Sequence, residues 1–92
     1  MPKVLIYSIW IFLFYGRDVN ENRAHVHVGK KNTKNLTKIW LEPEIEIAKD
    51  GDLNYFQRKE VLRIAKDNKD ELLKQWKRFK KGQDVKIIKI QK

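Results

Sequence analysis

Ninety-two residues allow one domain around one hydrophobic core, which excludes a multidomain enzyme. The absence of cysteine excludes a disulfide scaffold, a thiolate metal site, a cysteine nucleophile and a thiol switch together. Hydrophobic residues at 41% argue against disorder of the whole chain, and 21 basic against 12 acidic residues, a formal +9, point to a polyanionic partner.

Residues 4–15, VLIYSIWIFLFY, form the most apolar stretch. It is too short for a transmembrane helix, which needs about 20 apolar residues, and Tyr15-Gly16-Arg17-Asp18 offers no small-residue cleavage site for a signal peptide. A soluble, cytoplasmic protein without membrane contact is therefore expected. The β-forming composition of the run predicts a hairpin, Lys3 to Tyr7 and Trp10 to Tyr15, reversing at Tyr7-Ser8-Ile9, with Trp10, Phe12 and Phe14 in the core. Residues 16–24 carry no periodicity and are expected to be a loop. His25-Val26-His27-Val28 alternates, which places both histidines on one strand face and both valines on the other. After a basic turn at 29–35, Leu36 to Leu41 resumes the alternation, Pro43 breaks it, and Glu44-Ile45-Glu46-Ile47 alternates again.

From Asp52 the period changes. Asn54 and Gln57 form a capping-box pair at the start of a helix. Phe56, Val61, Ile64, Ala65, Leu72, Leu73, Trp76 and Phe79 then recur at helical spacing as an apolar stripe. Asn68 with Glu71 repeats the cap pattern, so two helices are expected to meet near residues 67–69, the second ending at Gly82. Val85 to Ile90 reads as a final edge strand guarded by lysines. The expected fold is one α+β domain over 1–92: a small antiparallel sheet in 1–53 packed on two helices in 54–81, with a C-terminal strand in 82–92.

Charge is concentrated on the helices, where residues 54–81 hold ten Lys or Arg against four Asp or Glu. Arg63, Lys66, Lys74, Lys77, Arg78 and Lys81, together with Lys30 and Lys31 of the basic turn, are the candidate contacts to a nucleic-acid phosphate backbone. A solvated lysine-rich surface is the competing explanation. Base-specific readout lacks support, because no helix-turn-helix turn, zinc-finger spacing or RNA-recognition aromatic signature is present.

His25 and His27, about 7 Å apart as i,i+2 strand neighbours, are candidate acid/base groups for a small ribonuclease or candidate metal ligands. A metal needs a third ligand, for which Asp18, Glu21, Glu42, Glu44 or Glu46 is available and no spacing selects one; Glu42 is carried as the weak candidate. The plainer alternative is two half-exposed histidines stacked on neighbours such as Trp40. Isolated glycines rule out Walker and dinucleotide-binding loops, and no cofactor is implied.

The Pro2-Lys3-Val4-Leu5 opening, Phe12 to Tyr15 before a polar loop, His25-Val26-His27-Val28, Trp40-Leu41-Glu42-Pro43, and a helical tail with Leu72-Leu73 and Trp76 together resemble the bacterial family called domain of unknown function 4160. The resemblance runs over residues 1 to about 80, with Arg23-Ala24 standing where the family usually has Pro-Pro. It implies a small bacterial protein without assigned activity, often encoded beside a second small protein and suspected of toxin-antitoxin-like pairing. The leading expectation is thus a non-enzymatic module that binds RNA or DNA, a protein encoded nearby, or both. A ribonuclease-like toxin or metal-binding protein is the alternative. Edge pairing of the N-terminal hairpin or the final strand offers a route to a homodimer.

Overall fold

A computed structural model describes residues 2–90. The apolar N-terminal run folds as the hairpin its composition requires, β1 (Lys3–Tyr7) and β2 (Trp10–Leu13), with Ser8 at φ 54 in the turn. The chain continues through a 3₁₀ helix, Gly16–Asn20, to β3 (His25–Gly29), β4 (Thr37–Trp40) and β5 (Glu46–Lys49). Next come α1 (Tyr55–Asp67), α2 (Lys69–Lys80) and a short β6 (Ile88–Ile90). The sheet order is β5-β4-β3-β2-β1-β6, antiparallel from β1 to β5, and the architecture is α+β. Among the described residues, no helix is long and apolar enough to cross a membrane.

Four details depart from the sequence reading. Residues 16–20 are helical rather than loop, because the Asp18 carboxylate accepts the Tyr15 N–H and holds a tight turn without needing apolar periodicity. The last ordered strand starts at Ile88 rather than Val85 and pairs parallel to β1, a long-range choice that local pattern does not encode. The expected strand also extended over residues 91 and 92, which lie outside the described residues. With β3 on one side of it and β6 on the other, the N-terminal hairpin has no free edge, so among the described residues β5 and β6 are the sheet edges. Finally, Phe56 is 78% exposed, since Leu53, just before the Asn54 cap, takes the buried place at the entry to α1.

The caps follow local chemistry. Asn54 and Gln57 exchange side-chain-to-backbone hydrogen bonds at 2.9 Å. Asn68 does not repeat this: its backbone is not extended as an N-cap requires, and its amide donates to the Ile64 carbonyl, closing α1 instead of opening α2. Gly82, at φ +74, ends α2 with the paired bonds of a Schellman turn, Gly82 N–H to Phe79 and Gln83 N–H to Arg78.

One core joins sheet and helices. Val4, Phe12, Phe14, Val26, Val28, Ile39 and Leu41 from the β-rich half cluster with Val61, Ile64, Ala65, Leu72 and Trp76. Burial of each of the larger side chains contributes about 1.5–3 kcal/mol. Buried Gln75 ties the C-terminal segment to α2, its Oε1 accepting the Lys86 N–H at 2.8 Å.

Candidate metal centre

β3 is buried on both faces, which sets the environment of its histidines. Val26 and Val28 enter the core, while the opposite face is closed by the 3₁₀ helix and by aromatic side chains. The His25 ring lies 5.0 Å from Trp76 and 5.7 Å from Trp40, and the His27 ring lies 4.3 Å from Tyr15, centroid to centroid. Neither histidine is half-exposed: His25 is 0% and His27 9% exposed. The expected neighbour Trp40 is present, but the covering segment is residues 15–21.

That segment supplies an acid. Asp18, only 2% exposed, lies between the two rings, with Oδ1 3.1 Å from His25 Nε2 and Oδ2 3.2 Å from His27 Nε2. Asp18, His25 and His27 offer three ligand atoms all within 4.8 Å of one another. Glu42, the acid carried from the sequence, is elsewhere: its Oε1 accepts the Ala24 N–H while its carbonyl accepts from Arg23 Nε. It fastens the end of β4 to the start of β3 because Pro43 turns the chain there. Sequence spacing held no signal favouring Asp18 over the other acids, since its approach depends on the 3₁₀ turn.

The proton inventory makes the arrangement unusual. His25 Nδ1 lies 2.9 Å from the Arg23 carbonyl oxygen, which can only accept, so Nδ1 donates and a neutral ring leaves Nε2 as a bare lone pair. That lone pair faces a carboxylate. Burial lowers the pKa of His27 to about 4, aided by the positive charge of Lys38 and by that of His25 whenever it is protonated, even though the charge and side-chain contact of Asp18 pull the other way. Both Nε2 atoms are buried and make no well-aligned hydrogen bond, although an Asp18 oxygen lies 3.1 and 3.2 Å from them. Two such atoms beside one carboxylate call for a cation between them. Donor atoms about 2.0–2.1 Å from a tetrahedral zinc ion stand roughly 3.3 Å apart, close to the two N–O separations found here.

Outer contacts hold the ligands still. The Tyr15 N–H fixes Asp18 Oδ2 at 2.8 Å, and the Arg23 carbonyl orients His25, the kind of support that metal-bound imidazoles usually have. Lys80 of α2 donates to the carbonyls of Val19 and Glu21 at 2.6 and 2.7 Å, so α2 clamps the segment that carries Asp18.

Without metal, the depressed His27 pKa has a consequence for folding. The unfolded chain takes up a proton near pH 6.5 and the folded chain only near pH 4. Stability is therefore full above pH 6.5, falls as the pH drops through that window and levels off below it. The loss expected from this group is on the order of 3 kcal/mol, measured as urea unfolding free energy of the metal-free protein from pH 7 to 4. A His27→Gln variant should show a shallower fall.

Four of the candidate nucleic-acid residues share one groove. Lys74, Lys77, Arg78 and Lys81 line a groove of about 390 Å³ along α2. Arg63 instead pairs with Asp67 at 3.6 Å, Lys66 sits with Lys69 beside Glu44 and Ile45, and Lys30 and Lys31 border a hollow near the β1–β2 hairpin.

The fold and the segments that build this centre fit one family. The chain belongs to the family described as domain of unknown function (DUF4160), which matches residues 9–77. That span holds Asp18, both histidines and the Trp40-Leu41-Glu42-Pro43 segment, and it ends before Gly82 and β6. No curated protein and no solved structure matches the chain.

Proposed function

We propose that this protein is a metal-binding module that holds one divalent transition-metal ion, with zinc as the reference, on Asp18, His25 and His27. The observation that carries the reading is the pair of buried Nε2 atoms, neither in a well-aligned hydrogen bond, aimed at one buried carboxylate. Two imidazoles and a carboxylate suit first-row metals and leave coordination positions open, the pattern of reactive rather than purely structural centres. A metal-free ribonuclease is less well supported, because a general acid and a general base must reach the protons they move and neither Nε2 is accessible. The test is calorimetric titration of metal-free protein with zinc: one ion per chain for the wild type, and at least a hundredfold weaker binding for Asp18→Asn. Equal binding by the two overturns the reading.

The groove on α2 favours a second function, attachment to a nucleic-acid backbone, because four cations share one concave surface with a single acid, Asp70. Lys77→Glu with Arg78→Glu should weaken binding of a fluorescein-labelled single-stranded RNA at least tenfold at low salt. It should also lower the slope of log affinity against log salt by about 1 to 2. An unchanged anisotropy titration removes this reading without touching the metal centre.

A further inference from the structure

The wall of the metal centre that His27 forms is also the wall of a second feature. Tyr15, Arg17, His27, Lys34, Lys38 and Lys49 surround a pocket of about 370 Å³, completed by Asn35, Leu36 and Gly51. That volume lies at the low end of small-molecule sites, which run from roughly 300 to 1,000 Å³.

The charge of this pocket comes from the sheet register. Leu13, His27, Lys38 and Lys49 stand opposite one another across β2, β3, β4 and β5, so their side chains form one row on one face. Arg17 arrives from the 3₁₀ helix and Lys34 from the β3–β4 turn. Four cations from four separate segments thus meet in a pocket with no acid in its lining. The nearby acids offset this charge only in part: Glu21 reaches Lys38 of the row itself and the charge of Asp52 acts on Lys34. Asp52 accepts both the backbone and side-chain N–H groups of Asn35, Asp50 pairs with Arg58 at 3.5 Å, and Glu21 pairs with Lys38 at 3.3 Å. Among the described residues, Arg17, Lys34 and Lys49 have no carboxylate within 4.0 Å.

Gly51 lines the pocket at a position where only glycine fits. It sits at φ +60, and a Cβ there would strike the backbone of Asn35 and Leu36. Concentrating excess positive charge in a concavity is unfavourable unless an anion neutralises it, and lysines acting as point charges beside an arginine suit a phosphate group. His27 links the two sites: its ring lines the pocket while its Nε2 points to Asp18.

We infer that this pocket binds the phosphate group of a phosphorylated ligand beside the metal centre. The inference deepens the metal-binding reading and rests on it for the part His27 plays; the cation row stands independently. A phosphate seated there is separated from an ion on Asp18, His25 and His27 by the His27 ring, which the two sites share.

The experiment is calorimetric titration of metal-free and stoichiometrically zinc-loaded protein with inorganic phosphate and, separately, with a five-nucleotide RNA. Wild type is compared with Lys34→Glu/Lys49→Glu, two exposed positions outside the triad. Zinc loading should raise the affinity of the wild type for at least one probe tenfold or more. The double variant should lose at least tenfold while its zinc affinity stays within twofold, which also shows that it is folded. Tighter binding of RNA than of phosphate identifies a polymer backbone as the source of the group, and the reverse identifies a free phosphate or monoester; both support the site. Charge-sensitive phosphate binding by a chain that takes up no zinc supports the pocket and removes the metal reading. Zinc binding with equal or no probe binding in the wild type and the double variant overturns the pocket and leaves the metal reading standing.

Discussion

Zinc at a free concentration a hundred times its dissociation constant should raise the unfolding free energy of this protein by about 2.7 kcal/mol. For a chain of this length that corresponds to roughly 10–20 °C in Tm. Asp18→Asn should abolish the shift. The substitution keeps the size of the side chain and an oxygen to accept the Tyr15 N–H, so the 3₁₀ turn has little reason to rearrange. It removes the one negative charge between His25 and His27. Two neutral imidazoles and an amide are a poor site for a divalent ion, because nothing offsets the cost of stripping its water. In thermal melts followed by circular dichroism, the wild type should move upward with zinc and the variant by less than about 2 °C. A shift of the same size in both would mean that zinc stabilises the chain from another place.

How much of this centre the sequence discloses depends on the range of each contact. The shared face of His25 and His27 follows from strand alternation, a local property, and holds in the structure. Likewise Asn54 with Gln57 and Gly82 mark helix ends through contacts within a few residues. Asp18 lies seven residues before His25, yet no periodicity brings it near, because a 3₁₀ turn and an irregular stretch intervene. Its selection over Glu42 depends on how the chain folds back over β3. The cation row across His27, Lys38 and Lys49 needs strand registers that an irregularity between Lys38 and Ile39 adjusts. Net charge alone therefore points to the helices, where the lysines are most numerous, and not to the sheet face where fewer of them converge. The family match adds membership to this reading, while the chemistry comes from the arrangement of side chains.

Trp76→Ala should be the most damaging of the substitutions considered, costing about 3–5 kcal/mol in a protein whose total stability is expected to be about 5–15 kcal/mol. Trp76 is 4% exposed and meets Phe14 edge-on at 5.4 Å, Phe79 at 5.8 Å and His25 at 5.0 Å. Removing the indole takes support from the core and from the back of a metal ligand in one step. Trp76→Phe retains an aromatic ring against Phe14 and should cost roughly half as much or less. The two variants separate packing from ligand orientation. If the indole only fills space, the folded Phe variant binds zinc as tightly as the wild type. If it also fixes the His25 ring so that Nε2 faces Asp18, zinc affinity falls by about tenfold in the Phe variant even where urea titration shows it well folded. We expect the second result. The Arg23 carbonyl holds His25 at Nδ1 alone, and rotation about that one hydrogen bond is restrained by the rings on either side, Trp40 and Trp76.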